Sequence, residues 1–145
     1  MASARLNLTL PNAGGTVGKW TYSFWLKRSA ISEQTIVSPF FSTSFFGGIK
    51  FTSGGALEVF DYRNSYLLQK ITNRLFRDTN AWYHFVVNND STVSSPETEI
   101  YVNGVKETSF STTNEYSQND TNSFNNDYMN TIGAYNSGAG QYFDG

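Results

Sequence analysis

The sequence predicts an all-β fold, a two-sheet antiparallel sandwich, and three observations carry the prediction. Aromatic residues make up 17% of the 145 residues and charged residues only 15%, so the apolar material is bulky and the surface draws on Ser, Thr, Asn and Tyr. No window holds apolar residues at i, i+3, i+4 and i+7 for three helical turns, and the one short turn expected is Asp78-Thr79-Asn80-Ala81. Apolar–polar alternation instead recurs in short segments punctuated by Gly, Pro and Asn.

Arg5 to Leu10 alternates, with Leu6, Leu8 and Leu10 on one face, and Pro11 and Gly14-Gly15 end it; a first, half-buried strand is expected. From Lys19 to Lys27 both parities are apolar or aromatic, with Trp20, Tyr22, Phe24 and Leu26 on one side and Trp25 on the other. Such a strand is expected to be covered on both sides. Ile36 to Phe41 and Phe45-Phe46 supply further strand, with hairpin turns expected at Gly47-Gly48 and Gly54-Gly55 around Ile49-Lys50-Phe51. Ala56 to Tyr62 sets Leu57, Val59 and Asp61 opposite Glu58, Phe60 and Tyr62. A turn at Asp61 to Ser65 follows, then shorter strands at Tyr66 to Leu68 and Arg74 to Phe76.

Trp82 to Val87 is an unbroken aromatic and β-branched run with one His, which predicts a central strand covered on both faces. Glu99-Ile100-Tyr101-Val102 then alternates, and Asn103-Gly104 supplies two residues that tolerate positive φ in a type I′ hairpin turn. Thr108 to Asn130 is polar, Asn-rich and aperiodic, and is expected to be a long surface excursion interrupted by Phe110, Tyr116, Phe124 and Tyr128. No fixed-period repeat points to a propeller or solenoid.

The Ala81–Gly104 wording, Trp20 to Lys27, Thr131-Ile132-Gly133-Ala134 and Tyr142-Phe143-Asp144-Gly145 together resemble the laminin G-like branch of the concanavalin A-like lectin/glucanase superfamily. Phe76 to His84 in particular is similar to such domains in structural proteins of marine tailed phages. The resemblance implies one jelly-roll domain over residues 1–145. It also implies a further β-strand after Tyr142–Gly145, so the expectation is either a parent chain that continues past residue 145 or association of a second copy through an open sheet edge.

Composition narrows the function. The net charge is −2 with no basic run, so phosphate neutralisation and nucleic acid as a primary ligand are excluded. There is no Cys, hence no disulfide and no thiolate metal site. The N-terminus has no signal-peptide pattern, and no apolar run approaches the ~18 residues of a membrane span. A virion-borne or lysis-released extracellular protein fits these features.

His84, the only His, has no triad or metal partner in sequence and reads as structural, its ring bonded to neighbours. Glu97 and Glu99 share a strand face, as two glycosidase carboxylates would. The superfamily's Glu-x-Asp-x-x-Glu glucanase pattern is absent, however, so they read as a solvated face and no catalytic residue is assigned. Several superfamily members bind calcium through loop Asp and Asn, and Asn119-Asp120 and Asn126-Asp127 lie in a loop; without a D-x-[DN]-x-[DN]-G motif no metal or other cofactor is assigned.

Aromatic faces combined with amide, hydroxyl and Arg groups suit sugar binding. Tyr62, Arg63, Asn64 and Tyr66 offer them, as do Tyr116 and Tyr128. The same chemistry suits protein contacts. The expected function is a non-catalytic module, on a phage tail fibre or appendage, that binds a cell-surface glycan; the alternative is an assembly or decoration module of the particle contacting other virion proteins, and a glycoside hydrolase is a distant third. The sequons at Asn7, Asn89 and Asn119 carry no weight outside a eukaryotic secretory route.

Overall fold

A computed structural model describes residues 5–9, 18–136 and 140–145. Eleven strands follow one another: β1 (Leu6–Thr9), β2 (Lys19–Leu26), β3 (Gln34–Ser42), β4 (Phe45–Phe51), β5 (Ala56–Arg63), β6 (Tyr66–Leu75), β7 (Tyr83–Asp90), β8 (Glu99–Val102), β9 (Val105–Lys106), β10 (Phe110–Asn114) and β11 (Met129–Ile132). They form a seven-stranded sheet, ordered β1-β11-β3-β4-β5-β6-β10, and a four-stranded sheet, ordered β2-β7-β8-β9. Every pairing is antiparallel. No α-helix occurs among the described residues.

The two sheets close on one core. Trp20 and Leu26 of β2, Phe85 and Val87 of β7, and Ile100 and Val102 of β8 meet Val37, Ile49, Phe51, Leu57, Val59 and Leu68 from the opposite sheet. These are the residues of one parity in each strand, as alternation demands. Burial at roughly 1.5–3 kcal/mol per large aliphatic or aromatic side chain is the main favourable term holding the layers together. The Asn103-Gly104 turn forms as expected, with φ of 52° and 80°, and lets Val102 pair with Val105.

Several expectations are corrected. Gly47 and Gly48 are not a turn but the middle of β4, opposite Asp61 and Phe60. A β-carbon on Gly48 would lie 2.7 Å from the Phe60 ring, so the glycine makes room for an aromatic ring across the strand pair. Gly55, with φ of 91°, does sit in the β4–β5 turn. The two short strands expected at Tyr66 to Leu68 and Arg74 to Phe76 are one strand, β6, with Phe76 buried just beyond it.

β1 forms, but Leu6 and Leu8 are exposed rather than half-buried; β1 is the outer strand of the wider sheet. Leu10, Pro11 and Gly14-Gly15 lie outside the described residues. β7 is central, between β2 and β8, yet only its Phe85 and Val87 face is fully buried. β2 is likewise covered on one side only, and Trp25 remains 65% exposed.

The largest correction concerns Thr108 to Asn130. Its first part is β10, paired with β6, and Tyr116, Asn122, Ser123 and Phe124 beyond it are buried. Phe124 stacks on Trp20 with ring centroids 4.3 Å apart.

Candidate functional site

Asp61, at the inward face of β5, anchors the excursion. Its Oδ2 accepts the Tyr116 hydroxyl and the Ser123 backbone N–H, each at 2.8 Å, and its Oδ1 accepts the Ser123 hydroxyl at 2.6 Å. The carboxyl is fully buried. Desolvation raises its pKa, with the Ser123 and Tyr116 hydrogen bonds and the Arg63 charge opposing that rise without cancelling it. Tyr116, pushed well above the usual phenol range by burial, offers no ring face to a ligand.

The other sequence-predicted residues are dispersed. Tyr62 and Tyr66 pair across the β5–β6 hairpin, ring centroids 5.3 Å apart, with Phe46 and Phe60 beside them. Asn64 takes φ of 59° in the turn between them and donates its backbone N–H to Ser44. Arg63 packs over the Phe45 ring at 5.9 Å, and its Nε and Nη2 have no hydrogen-bond partner among the described residues. Tyr128 leans on Phe41, 4.9 Å away, at the far end of β3. The structure therefore brings together Tyr62, Tyr66 and the Asn64 turn and leaves Arg63, Tyr116 and Tyr128 elsewhere.

The same outer face of the seven-stranded sheet carries a closed polar cluster: Lys50 bridges Glu33 at 2.7 Å and Glu58 at 3.5 Å, and Gln69 donates to Glu58 at 2.8 Å. Burial pulls Lys50 down, but its hydrogen bonds and charge pairing with Glu33 and Glu58 leave it raised. These groups satisfy one another.

A better-formed site lies on the outer face of the four-stranded sheet. Because Trp20, Tyr22, Phe24 and Leu26 point inward, the opposite parity of β2 presents Lys19, Thr21, Ser23 and Trp25 outward. Register sets Trp25 beside His84, Ser23 beside Val86 and Tyr101, Thr21 beside Asn88 and Glu99, and Lys19 beside Asp90. Trp25 and His84 stack at 4.9 Å, and the Ser23 hydroxyl lies 3.0 Å from His84 Nε2. The His84 ring thus does bond a neighbour, though its strand face is half-buried rather than enclosed. Asn103 Oδ1 accepts the His84 backbone N–H at 2.8 Å.

Trp82, 61% exposed, completes a hollow of about 490 Å³ lined by Trp25, Trp82, His84, Asn103 and Gly104. A second hollow on the same face, about 480 Å³, includes Lys19, Thr21, Asn88, Asp90, Glu97 and Glu99. Here the charges are paired: Lys19 with Asp90 at 2.8 Å, and Lys106 with Glu99 at 2.8 Å and Glu97 at 3.1 Å. The Lys19 hydrogen bond, then those from Thr92, hold Asp90 down at about 2, and Lys106 holds Glu99 below the usual carboxylate range. Glu97 and Glu99 do share a face, each engaged by the same lysine.

Trp25 and Trp82 were not among the sequence candidates. The signal was parity: Trp25 opposes the four core residues of its strand, and Trp82 shares the parity of His84 rather than of Phe85. At the Asx positions weighed for calcium, Asp120 accepts the Ser117 backbone N–H and Asn119, with φ of 64°, donates to Ser91; both shape a turn.

Residues 4–145 match the family described as the concanavalin A-like lectin/glucanases superfamily. No curated protein matches the chain. Among solved structures, a native heptameric SAP-like pentraxin from Limulus polyphemus shares the fold with a TM-score of 0.54 at 16% identity. The superposition covers 89% of this chain and 57% of the pentraxin, so the chain spans little more than half of that protein.

Proposed function

The chain belongs to the concanavalin A-like lectin/glucanases superfamily, and on that premise we propose that it is a non-catalytic carbohydrate-recognition module whose ligand seats against Trp25 and Trp82. The single observation that carries this reading is the pair of exposed indoles, 65% and 61% accessible, bordering one hollow with His84 and Asn103. A flat, apolar indole face matches the C–H surface of a sugar ring, while Asn103 and the turn at Gly104 offer amide and backbone groups to its hydroxyls. Large aromatic residues left in water at a concave polar surface otherwise forgo the free energy of burial. The Tyr62–Tyr66 pair is the secondary candidate for the same chemistry. A phage appendage as the site of action rests on the resemblance of Phe76 to His84 alone.

The test is binding to an array of bacterial and plant polysaccharides. Trp25→Ala and Trp82→Ala should each weaken binding about tenfold, which corresponds to ~1.4 kcal/mol and the scale of one lost aromatic contact. Binding that survives both substitutions overturns this placement.

A second reading, an assembly contact, is favoured by Leu6, Leu8 and Ile132. They form an exposed apolar strip where β1 pairs with β11, Leu6 directly opposite Ile132. Leu8→Glu should convert any oligomer of the wild type to monomer in sedimentation velocity; a wild type that is monomeric at high concentration removes this reading.

A further inference from the structure

Resting on the carbohydrate reading above, we propose that the ligand is an extended, uncharged glycan chain that occupies both hollows of the four-stranded sheet's outer face at once. The two hollows are ends of one strip. Trp25 and His84 lie in the first, Thr21, Asn88 and Glu99 in the second, and the row of Ser23, Val86 and Tyr101 joins them. From Trp25 to Lys19 is six residue steps along β2, about 20 Å at ~3.4 Å per residue. That is longer than a single sugar ring and matches a chain lying along the strand.

The two ends differ in chemistry in a way that suits such a chain. The indole end provides stacking, and the other end provides hydrogen bonds. One atom of an outward-facing side chain lining the second hollow, Asn88 Oδ1, has no hydrogen-bond partner among the described residues. It is an amide oxygen, an acceptor, to which a sugar hydroxyl can donate.

Charge decides against an acidic chain. Asp90, Glu97, Glu99 and the neighbouring Glu115 stand against Lys19, Lys70 and Lys106, and each lysine already spends its charge on these carboxylates. A uronate or sulfate brought to this face meets an excess of negative charge and no free cation among the described residues lining the hollow. Neutral hydroxyls can accept from the lysines and donate to the carboxylates without displacing either.

The experiment compares titration calorimetry of di- and hexasaccharides of neutral gluco-, manno- and galacto-chains with polygalacturonate and alginate. The expected result is binding of a neutral chain, about tenfold tighter for the hexasaccharide than for the disaccharide. Asn88→Ala and, independently, the exposed Glu97→Ala should abolish that length advantage while leaving disaccharide binding and the melting temperature unchanged. Affinity independent of length, hexasaccharide binding indifferent to both substitutions, or preference for the acidic polymers overturns the inference and leaves the indole site standing. Binding indifferent to Trp25→Ala and Trp82→Ala overturns the indole placement and this inference with it, whereas no binding to any probe removes the carbohydrate reading as well.

Discussion

Trp25 and His84 lie side by side across the β2–β7 pair, ring planes 21° apart and centroids 4.9 Å apart, on the face that points away from the core. Stacking on the imidazole fixes one face of the indole and leaves the other to solvent, and the Ser23 hydroxyl steadies the imidazole from behind. The arrangement preorganises a flat apolar surface without burying it. His84→Ala should therefore lower glycan affinity severalfold and broaden the tryptophan fluorescence response to ligand, with Trp25 still present. Unchanged affinity in His84→Ala would show that the indole needs no such support.

Asp61 is the acceptor on which the buried part of the excursion depends. Asp61→Ala leaves the Tyr116 hydroxyl and both Ser123 donors without their acceptor in the core, and orphan buried groups cost roughly 1–3 kcal/mol each. A loss of at least ~3 kcal/mol in urea denaturation is expected. The double variant Asp61→Ala/Tyr116→Phe should fall short of the sum of the singles, because both remove the same hydrogen bond.

The same carboxyl gives a pH signature. Its folded pKa is raised above the ordinary value of 3.8, so between the two values the folded state holds the proton more often than the unfolded state. Its contribution to stability is present below the unfolded pKa and is lost as pH rises through the folded one. Asp61→Asn should flatten that decline above about pH 3.8 relative to wild type. Asp90 and Glu99, both held low, act in the opposite sense, and their contribution disappears as pH falls below the ordinary carboxylate range. Urea midpoints across the acid range, compared between the two proteins, isolate the Asp61 share.

Gly48→Ala places a β-carbon 2.7 Å from the Phe60 ring and should cost ~1–3 kcal/mol of stability through overpacking. Gly104→Ala meets no atom within 4 Å, so its cost should come from φ of 80° alone and stay near ~1 kcal/mol. Thermal melts of the two variants separate the steric from the conformational role of glycine in one molecule.

Phe124→Ala removes the ring stacked on Trp20 and should cost ~3–5 kcal/mol, the range for deleting a buried aromatic side chain. Proteolysis should then cut first between Tyr116 and Tyr128, the segment that the stack ties to the core alongside its hydrogen bonds to Asp61 and Ser91. A cut pattern identical to wild type would mean that the hydrogen bonds to Asp61 and Ser91 hold the segment without the stack.

The sequence by itself determined what is local. Alternation of period two, the Asn103-Gly104 turn and the absence of helical periodicity act through neighbours in the chain, so the β class, the β8–β9 hairpin and the core parity of β2, β5 and β8 were legible before any tertiary contact was known. It could not determine which parity is left in water. Trp25 and Trp82 read as core because they are apolar, and only the position of their strands in a sheet covered on one face exposes them. The polar stretch around Tyr116 to Phe124 read as surface for the converse reason. Its Ser, Asn and Tyr groups are buried only because Asp61 and Trp20, distant in sequence, come close enough to satisfy and cover them. Gly47-Gly48 likewise read as a turn, until an aromatic ring from the adjacent strand required the space that a side chain would fill. Burial of a polar group depends on a partner being present, and that partner is supplied by the tertiary fold.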